Sequence, residues 1–198
     1  PNRRVGGVIL DRQGGEVGRG ANQQGGGAHA EVMALRDAAA RGEDVRGATV
    51  LVTLEPCAHQ GRTGPCCDAL VAAGVGRVVA SLHDPHPQVA GQGFARLRAA
   101  GIEVLVGPGA AEAREINLGF FSRMVRGVPW VRMKTAASLD GTKEVADGSS
   151  QGSTGAEARA DGEAWRARAC AELTGSGTVL ADNPRLDVRS VQTQRQPA

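Results

Sequence analysis

The chain has 198 residues, of which 41% are hydrophobic and 22% are charged, and its formal net charge is +2. This composition is typical of a globular protein with one full domain and part of a second. A charge this small gives no support for nucleic-acid binding, and no apolar stretch approaches the ~20 residues that span a bilayer.

The first part of the chain alternates strand and helix patterns. The apolar run 5–10 and the turn residues DRQGGE after it predict a β-hairpin with 17–21. In chain order the pattern then predicts helix 31–41, strand 48–54, a loop with the cysteines, helix 68–73, strand 75–82, helix 93–100, strand 102–106 and helix 110–125. This alternation indicates a mixed or parallel sheet covered on both faces, so we expect a three-layer α/β/α domain over residues 1–126.

A second region is expected to begin after the Gly-Val-Pro boundary at 127–129. Residues 129–198 are fewer than the ~100–200 of an ordinary domain. The segment PWVRMKTAASLDG predicts a strand and turn, 156–171 a helix, and 178–189 a strand-like tail. Because the chain opens on Pro1 without a methionine and stops in a polar run, we expect a piece of a longer protein.

One histidine and three cysteines lie where predicted helices begin. A catalytic zinc has three protein ligands and keeps a fourth position for water, so His29, Cys57 and one of Cys66 and Cys67 predict such a site. The partial positive charge of a helix N-terminus favours thiolates there. Four cysteines are too few for a disulfide framework, and we therefore expect a reducing, cytoplasmic location.

Glu31 follows His29 by two positions. In mid-helix this spacing would place the two side chains on roughly opposite faces, ~200° apart, but at a first turn both can face one cavity. A carboxylate beside a zinc-bound water can take a proton from it and deliver one to a leaving amine. Zinc-dependent nucleobase deaminases carry such an H-x-E followed by P-C-x-x-C, although the spacing from Cys57 to Cys66 is longer here.

Two other interpretations of these residues stay open. A structural zinc site would use four protein ligands, with Cys67 or His59 completing the set. Alternatively the chain binds no metal, because a buried cysteine is often a small apolar core residue.

Several longer segments carry a resemblance to a known family. PNRRVGGVIL, HAEVMALRDA, VTLEPCAHQGRTGPCCDALVAAGVGRVV and DPHPQVAGQGFARLRAAGIEV resemble the deaminase domain of the bifunctional riboflavin-biosynthesis deaminase/reductases. PWVRMKTAASLDG, ARADGEAWRARA and GTVLADNPRLDVR resemble the start of their reductase domain. The resemblance implies a cytidine-deaminase-like fold that hydrolytically deaminates 2,5-diamino-6-ribosylamino-4(3H)-pyrimidinone 5′-phosphate. It further implies a dihydrofolate-reductase-like domain that reduces the ribosyl chain with NADPH.

The resemblance also implies roles for particular residues. His29, Cys57 and Cys66 would bind zinc, Glu31 would shuttle protons, and Cys67 would be a core neighbour. Substrate would be bound in the first domain by Asn2, Arg62 and Asp84, and in the second by Ser150, Arg166, Leu186 and Arg189. NADPH would be bound by Lys134, Ala136, Thr178 and Asp182. The guanidinium of Arg62 suits a substrate phosphate.

The chain departs from the family pattern at several positions. Arg3 and Ala28 stand where proline is usual, Gly7 where cysteine is usual, His86 where asparagine is usual and Gly152 where tryptophan is usual. With a short second region, we expect no reductase activity from this chain. Self-association is expected, since family members commonly associate.

Two alternative functions are weighed against this one. A deaminase of the transfer-RNA adenosine type would carry the tight P-C-x-x-C pair and a basic face, and neither the cysteine spacing nor the charge favours it. The second alternative is a non-catalytic module in which zinc only stabilises a loop.

Overall fold

The computed structural model describes residues 3–23, 26–61, 63–87, 89–143, 154–193 and 195–198. The chain divides into two compact units, Pro1–Val131 and Arg132–Ala198. Within the described residues, every helix is too short or too polar to cross a membrane.

Among the described residues, five strands form a mixed sheet in the first unit. They are β1 (Gly6–Leu10), β2 (Glu16–Ala21), β3 (Thr49–Val52), β4 (Arg77–Ala80) and β5 (Glu103–Val106). Their spatial order is β2-β1-β3-β4-β5. The first strand pairs antiparallel with β2 and β3, and β3, β4 and β5 run parallel. The predicted hairpin and the mixed α/β class are confirmed.

Three helices follow the strands at the predicted places, namely α1 (Ala30–Ala40), α2 (Cys66–Ala72) and α3 (Gln92–Ala99). Helix α1 packs directly against β2 because that strand carries glycines. A Cβ atom on Gly20 would lie 2.4 Å from the Ala34 nitrogen, and one on Gly18 would lie 2.5 Å from the Ala34 oxygen. The absence of side chains at these two positions therefore sets how closely α1 lies on the sheet.

The core of this unit lies on one face of the sheet. Ile9, Val50 and Val78 occupy adjacent strands in one row and are fully buried. On the opposite face Leu51 is 36% exposed and Leu105 is 42% exposed. The apolar side chains of α1, α2 and α3 join the buried face. Each of these helices follows a strand along the chain, so each begins near the carboxyl end of the strand before it.

The helix predicted over 110–125 is interrupted. It consists of α4 (Ala110–Glu115), α5 (Leu118–Phe121) and a π-helical turn, Ser122–Arg126. Asn117 lies at the break, and its buried amide forms hydrogen bonds both with the Ala113 oxygen in α4 and with the backbone of Arg4. Its Nδ2 donates to the Arg4 oxygen at 2.8 Å, and its Oδ1 accepts from the Arg4 nitrogen at 2.9 Å. The apolar pattern of residues 110–125 could not predict this contact, because Arg4 is distant from Asn117 in sequence.

The second unit has little buried core. Its helices in the described residues are α6 (Ala156–Arg168), which confirms the predicted helix, and α7 (Ser176–Asp182). The strands predicted in PWVRMKTAASLDG and over 178–189 are wrong: the first segment is extended or turn and the second begins within α7. A strand needs a partner for its backbone hydrogen bonds, and the described residues of this unit offer none. Only Val188 and Glu163 are buried among them.

Candidate metal centre

His29 and Glu31 lie at the start of α1. His29 is the N-cap residue, with extended backbone angles of −77° and 166°, and Glu31 is in the first turn. Because His29 is not helical, its ring and the Glu31 carboxyl lie on the same side of the helix start, as the sequence predicted. Asn22 fixes this geometry, since its Oδ1 accepts a hydrogen bond from the Ala30 nitrogen at 2.8 Å.

Cys57 and Cys66 approach the same point from β3 and α2. Cys57 lies in the loop after β3, and Cys66 is the first residue of α2 after the N-cap Pro65. The Cys66 nitrogen donates to the Cys57 Sγ at 3.4 Å. A second bond joins the Cys67 nitrogen to the Cys57 oxygen at 3.1 Å. The first turn of α2 therefore holds the Cys57 loop through its free backbone N–H groups.

The three candidate ligand atoms form a compact group. His29 Nδ1 lies 3.2 Å from the Cys66 Sγ and 3.5 Å from the Cys57 Sγ, and all three atoms lie within 4.8 Å of one another. Ligands at ~2.0–2.3 Å from a tetrahedral zinc are ~3.5–3.8 Å apart. One histidine nitrogen and two cysteine sulfurs at these separations fit zinc, and the described residues form no other such group.

Cys67 and His59, the two residues that could complete a four-ligand site, lie elsewhere. The Cys67 Sγ points to the oxygens of Pro56 and Gly93, 3.4 Å from each. His59 is outside the group of candidate ligands, and its Nδ1 is buried without a hydrogen-bond partner. The described residues therefore bring three protein ligands together.

Burial and mutual contacts shift the pKa values of the residues in this group. Burial raises the pKa of Glu31 to about 7. A hydrogen bond from Cys66, with His29 close by, lowers the pKa of Cys57 to about 4. The Cys57 contact raises the pKa of Cys66 and also that of His29. Burial raises the pKa of Cys67 to about 12, which keeps that thiol protonated.

A small cavity of about 10 Å³ lies beside these residues, and its lining includes Arg3, Asn22 and Glu31. Asp84 is fully buried nearby, and Arg3 Nη1 lies 2.8 Å from its Oδ2. The approach is ionic rather than a directed hydrogen bond, since that oxygen accepts none of good geometry. Burial raises the pKa of Asp84, while the His86 N–H and Arg3 oppose the rise. Asp84 is therefore linked through Arg3 to the cavity beside the metal group, and its contact with substrate stays a prediction.

Asn2 and Arg62 lie outside the described residues, so the structure tests neither prediction. Three residues beside the site did not emerge from the sequence as functional: Asn22, Arg3 and Glu55. Asparagine is a residue typical of helix starts, so Asn22 carried a signal. Arg3 and Glu55 act through contacts with residues distant in sequence, and no local pattern marks them.

The comparisons with known proteins agree with this geometry. Residues 1–82 match the cytidine and deoxycytidylate deaminase zinc-binding region, and residues 129–198 match the RibD C-terminal domain. The chain is 54% identical over 189 residues to the riboflavin biosynthesis protein RibD of Escherichia coli, which is 96% of this chain and 50% of that protein. The chain is therefore similar to RibD proteins over nearly its whole length, and its two matched regions correspond to two different domain models.

Further RibD relatives show the same extent of similarity. RibD of Aquifex aeolicus is 46% identical, covering 100% of this chain and 54% of its own length. Among solved structures, the Thermotoga maritima deaminase/reductase has a TM-score of 0.93 at 38% identity, covering 100% of this chain and 55% of its own. Acinetobacter baumannii RibD has a TM-score of 0.87 at 46% identity, covering 100% and 54%. The chain thus spans about half the length of the RibD relatives it matches.

In the RibD C-terminal region the predicted residues are more dispersed. Arg166 Nη1 lies 3.4 Å from the Asp187 oxygen, and Arg189 Nη1 lies 3.1 Å from the Asp187 Oδ1, so both arginines meet next to Leu186. Lys134, Thr178 and Asp182 are exposed and Ala136 is half-buried. Ser150 and Gly152 lie outside the described residues. Among the described residues, the four positions predicted for NADPH share no hydrogen bond or ion pair with the two arginines.

Proposed function

We propose that the first region is a zinc-dependent hydrolase that deaminates a phosphorylated aminopyrimidine in riboflavin biosynthesis, the diaminopyrimidine nucleotide that the family resemblance implies. The observation that carries the proposal is the compact group of His29, Cys57 and Cys66 beside the buried Glu31. The RibD relatives support the substrate class. Four cysteines without a disulfide support a reducing, cytoplasmic location.

His29, Cys57 and Cys66 would hold the zinc ion. When bound, zinc acts as a Lewis acid that makes water a nucleophile near neutral pH. Glu31 takes the proton from the attacking water and then donates a proton to the amine as ammonia leaves the ring. A carboxyl group can do both when its pKa is raised towards neutral pH, and burial raises the pKa of Glu31 in this direction.

Asp84, Asn2 and Arg62 would orient the substrate in this proposal. Asp84 is fixed by Arg3 and by the His86 N–H, which donates to its Oδ1 at 2.8 Å. A carboxylate held in this way can accept hydrogen bonds from ring amino groups of a pyrimidine. Arg62 would bind the phosphate.

Ammonia release from the diaminopyrimidine nucleotide tests the proposal. We expect activity that a chelator abolishes and that added zinc restores. Glu31→Gln should retain zinc and lose turnover by roughly 10²–10⁴-fold, the usual contribution of a general acid–base group. Glu43→Gln, which changes an exposed glutamate after α1, is the matched control and should leave turnover unchanged. Unchanged kcat in Glu31→Gln would remove this residue from the mechanism.

We propose that the second region is related to the reductase domain of RibD proteins. We also propose that this chain does not catalyse the reduction. The match of residues 129–198 supports the relation. We expect no NADPH binding by this chain, because Lys134, Thr178 and Asp182, three of the four positions predicted for it, are exposed in the described part. NADPH oxidation with the deaminated product should be undetectable. Self-association of the chain stays a prediction, which sedimentation analysis of its mass in solution would test.

A further inference from the structure

Glu55 is a buried acidic residue that the deamination mechanism does not use. It lies two positions before Cys57, and its side chain is 0% exposed. Its carboxylate accepts backbone hydrogen bonds from four N–H groups that are distant in sequence. Oε2 accepts from the Asp84 nitrogen at 3.2 Å and from the Gly91 nitrogen at 3.0 Å. Oε1 accepts from the Gly93 nitrogen at 3.0 Å and from the Phe94 nitrogen at 3.4 Å.

Three of these donors form the start of α3. Gly91 is its N-cap residue, and no side chain of the helix itself caps it. The first N–H groups of a helix lack partners within the helix, and an anion is favoured there by the helix dipole. Glu55 supplies both the acceptors and the charge from the end of β3. The start of α3 is therefore attached to the segment that carries Cys57.

The same carboxylate holds the loop that presents Asp84. Its Oε2 binds the N–H of Asp84 near one end of that loop and the N–H of Gly91 at the other. The Glu55 nitrogen donates to the Leu82 oxygen at 2.9 Å, which ties the loop's first residue to the same strand end. The position of Asp84 thus depends on Glu55. His83 Nδ1 lies 3.6 Å from Oε2 on the solvent side.

Backbone packing strengthens this connection on the metal side. A Cβ atom on Gly93 would lie 1.9 Å from the Pro56 oxygen, so only glycine permits the observed contact. The Cys67 thiol donates to that same oxygen at 3.4 Å. The segment from Glu55 to Cys57 is therefore held on α3 by a buried carboxylate and on α2 by a buried thiol.

We propose that Glu55 is a positioning residue that fixes the substrate-facing Asp84 loop relative to the metal ligand Cys57. The inference rests on the proposed deaminase function for its kinetic consequence, whereas its structural consequence is independent of substrate. The residue touches neither substrate nor metal in this account. Its effect is to keep two parts of one pocket at a fixed separation.

Glu55→Gln tests the proposal with little change in volume. A glutamine oxygen can accept from one pair of N–H groups only, and its NH₂ then faces the other pair donor to donor. We expect KM to rise about tenfold and the affinity for cobalt(II) to fall by a similar factor, while kcat with saturating metal changes less than about threefold. Glu43→Gln is the matched control and should keep wild-type values.

Amide hydrogen exchange gives a readout that does not depend on activity. In Glu55→Gln, exchange should become faster at Asp84 and Gly91 or at Gly93 and Phe94, and stay unchanged in the hairpin of β1 and β2. Glu55→Asp keeps the charge on a shorter side chain and should show the same changes to a smaller degree. If the wild type releases no ammonia, the proposed function fails, but exchange and cobalt affinity still decide the role of Glu55. Wild-type exchange and cobalt affinity in both variants would overturn the inference.

Discussion

The two units of this chain differ in how their functional residues are supported. In the first unit His29, Glu31 and Cys66 lie at helix starts and Cys57 lies in the loop after β3, beside a sheet whose side chains Ile9, Val50 and Val78 are fully buried. In the second unit the four positions predicted for NADPH lie in the irregular segment 132–138 and on α7, and three of them are exposed. Side chains are held to the tolerance that chemistry needs only when packing and hydrogen bonds lock them.

This contrast shows why a sequence match to RibD proteins supports a functional site in the first unit and not in the second. Both regions match families of the same relatives. In the first, residues far apart in the chain converge within hydrogen-bond distances of each other. In the second, Arg166 and Arg189 meet at Asp187 and the other predicted positions do not join them. A matching motif thus becomes a candidate site only where the fold assembles it.

The largest expected effect is the loss of zinc and of activity when a ligand cysteine of the first unit is replaced, compared with a neighbouring cysteine and with a cysteine of the second unit. Cys66→Ala should reduce zinc content from about one ion per chain to none and abolish ammonia release, because a catalytic site of three protein ligands loses one of them. Cys67→Ala should retain zinc and lose about 1–2 kcal/mol of stability, since it only leaves a small cavity. Cys170→Ala, at an exposed position of the second unit, should change neither. Metal analysis and the ammonia assay on the three variants measure this. Full zinc content in Cys66→Ala would contradict the assigned ligand set.

A smaller effect compares packing in the two units. Gly20→Ala should destabilise the first unit by about 1–3 kcal/mol, because the new methyl group would overlap α1. Gly177→Ala in α7 meets no atom within 4 Å, and alanine should favour that helix by up to about 1 kcal/mol. Thermal unfolding followed by circular dichroism checks both. Equal responses of the two variants would mean that packing density does not distinguish the units.

The smallest expected effect is a pH dependence confined to the second unit. A hydrogen bond from the Ser190 hydroxyl lowers the pKa of Glu163 from 4.5 to about 2. The folded state therefore favours the carboxylate, and its stabilising contribution is complete above pH 4.5 and is lost as the pH falls towards about 2. Fluorescence of Trp165 in α6 should show this loss in the wild type. Glu163→Gln should lack that transition, and an identical acid transition in both proteins would contradict the assignment.

The sequence predicted the first unit well because its signals are local. Alternating apolar strands and helix starts placed β1 to β5 and α1 to α3, and the His29-Ala30-Glu31 triplet indicated the metal chemistry. The break at Asn117 and the role of Glu55 arise from contacts with residues distant in sequence, such as Arg4 and Gly93. The two strands predicted in the second unit failed for the same reason, since strand formation depends on a partner elsewhere in the chain.

The most direct test of the central claim is the visible spectrum of the cobalt-substituted chain. The account predicts one tetrahedral cobalt bound by two thiolates and one imidazole, with bands that shift when a pyrimidine inhibitor is added, because one coordination position is open. Glu31→Gln should give the same starting spectrum. A spectrum that does not respond to the inhibitor, or one that requires four protein ligands, would contradict a three-ligand catalytic site.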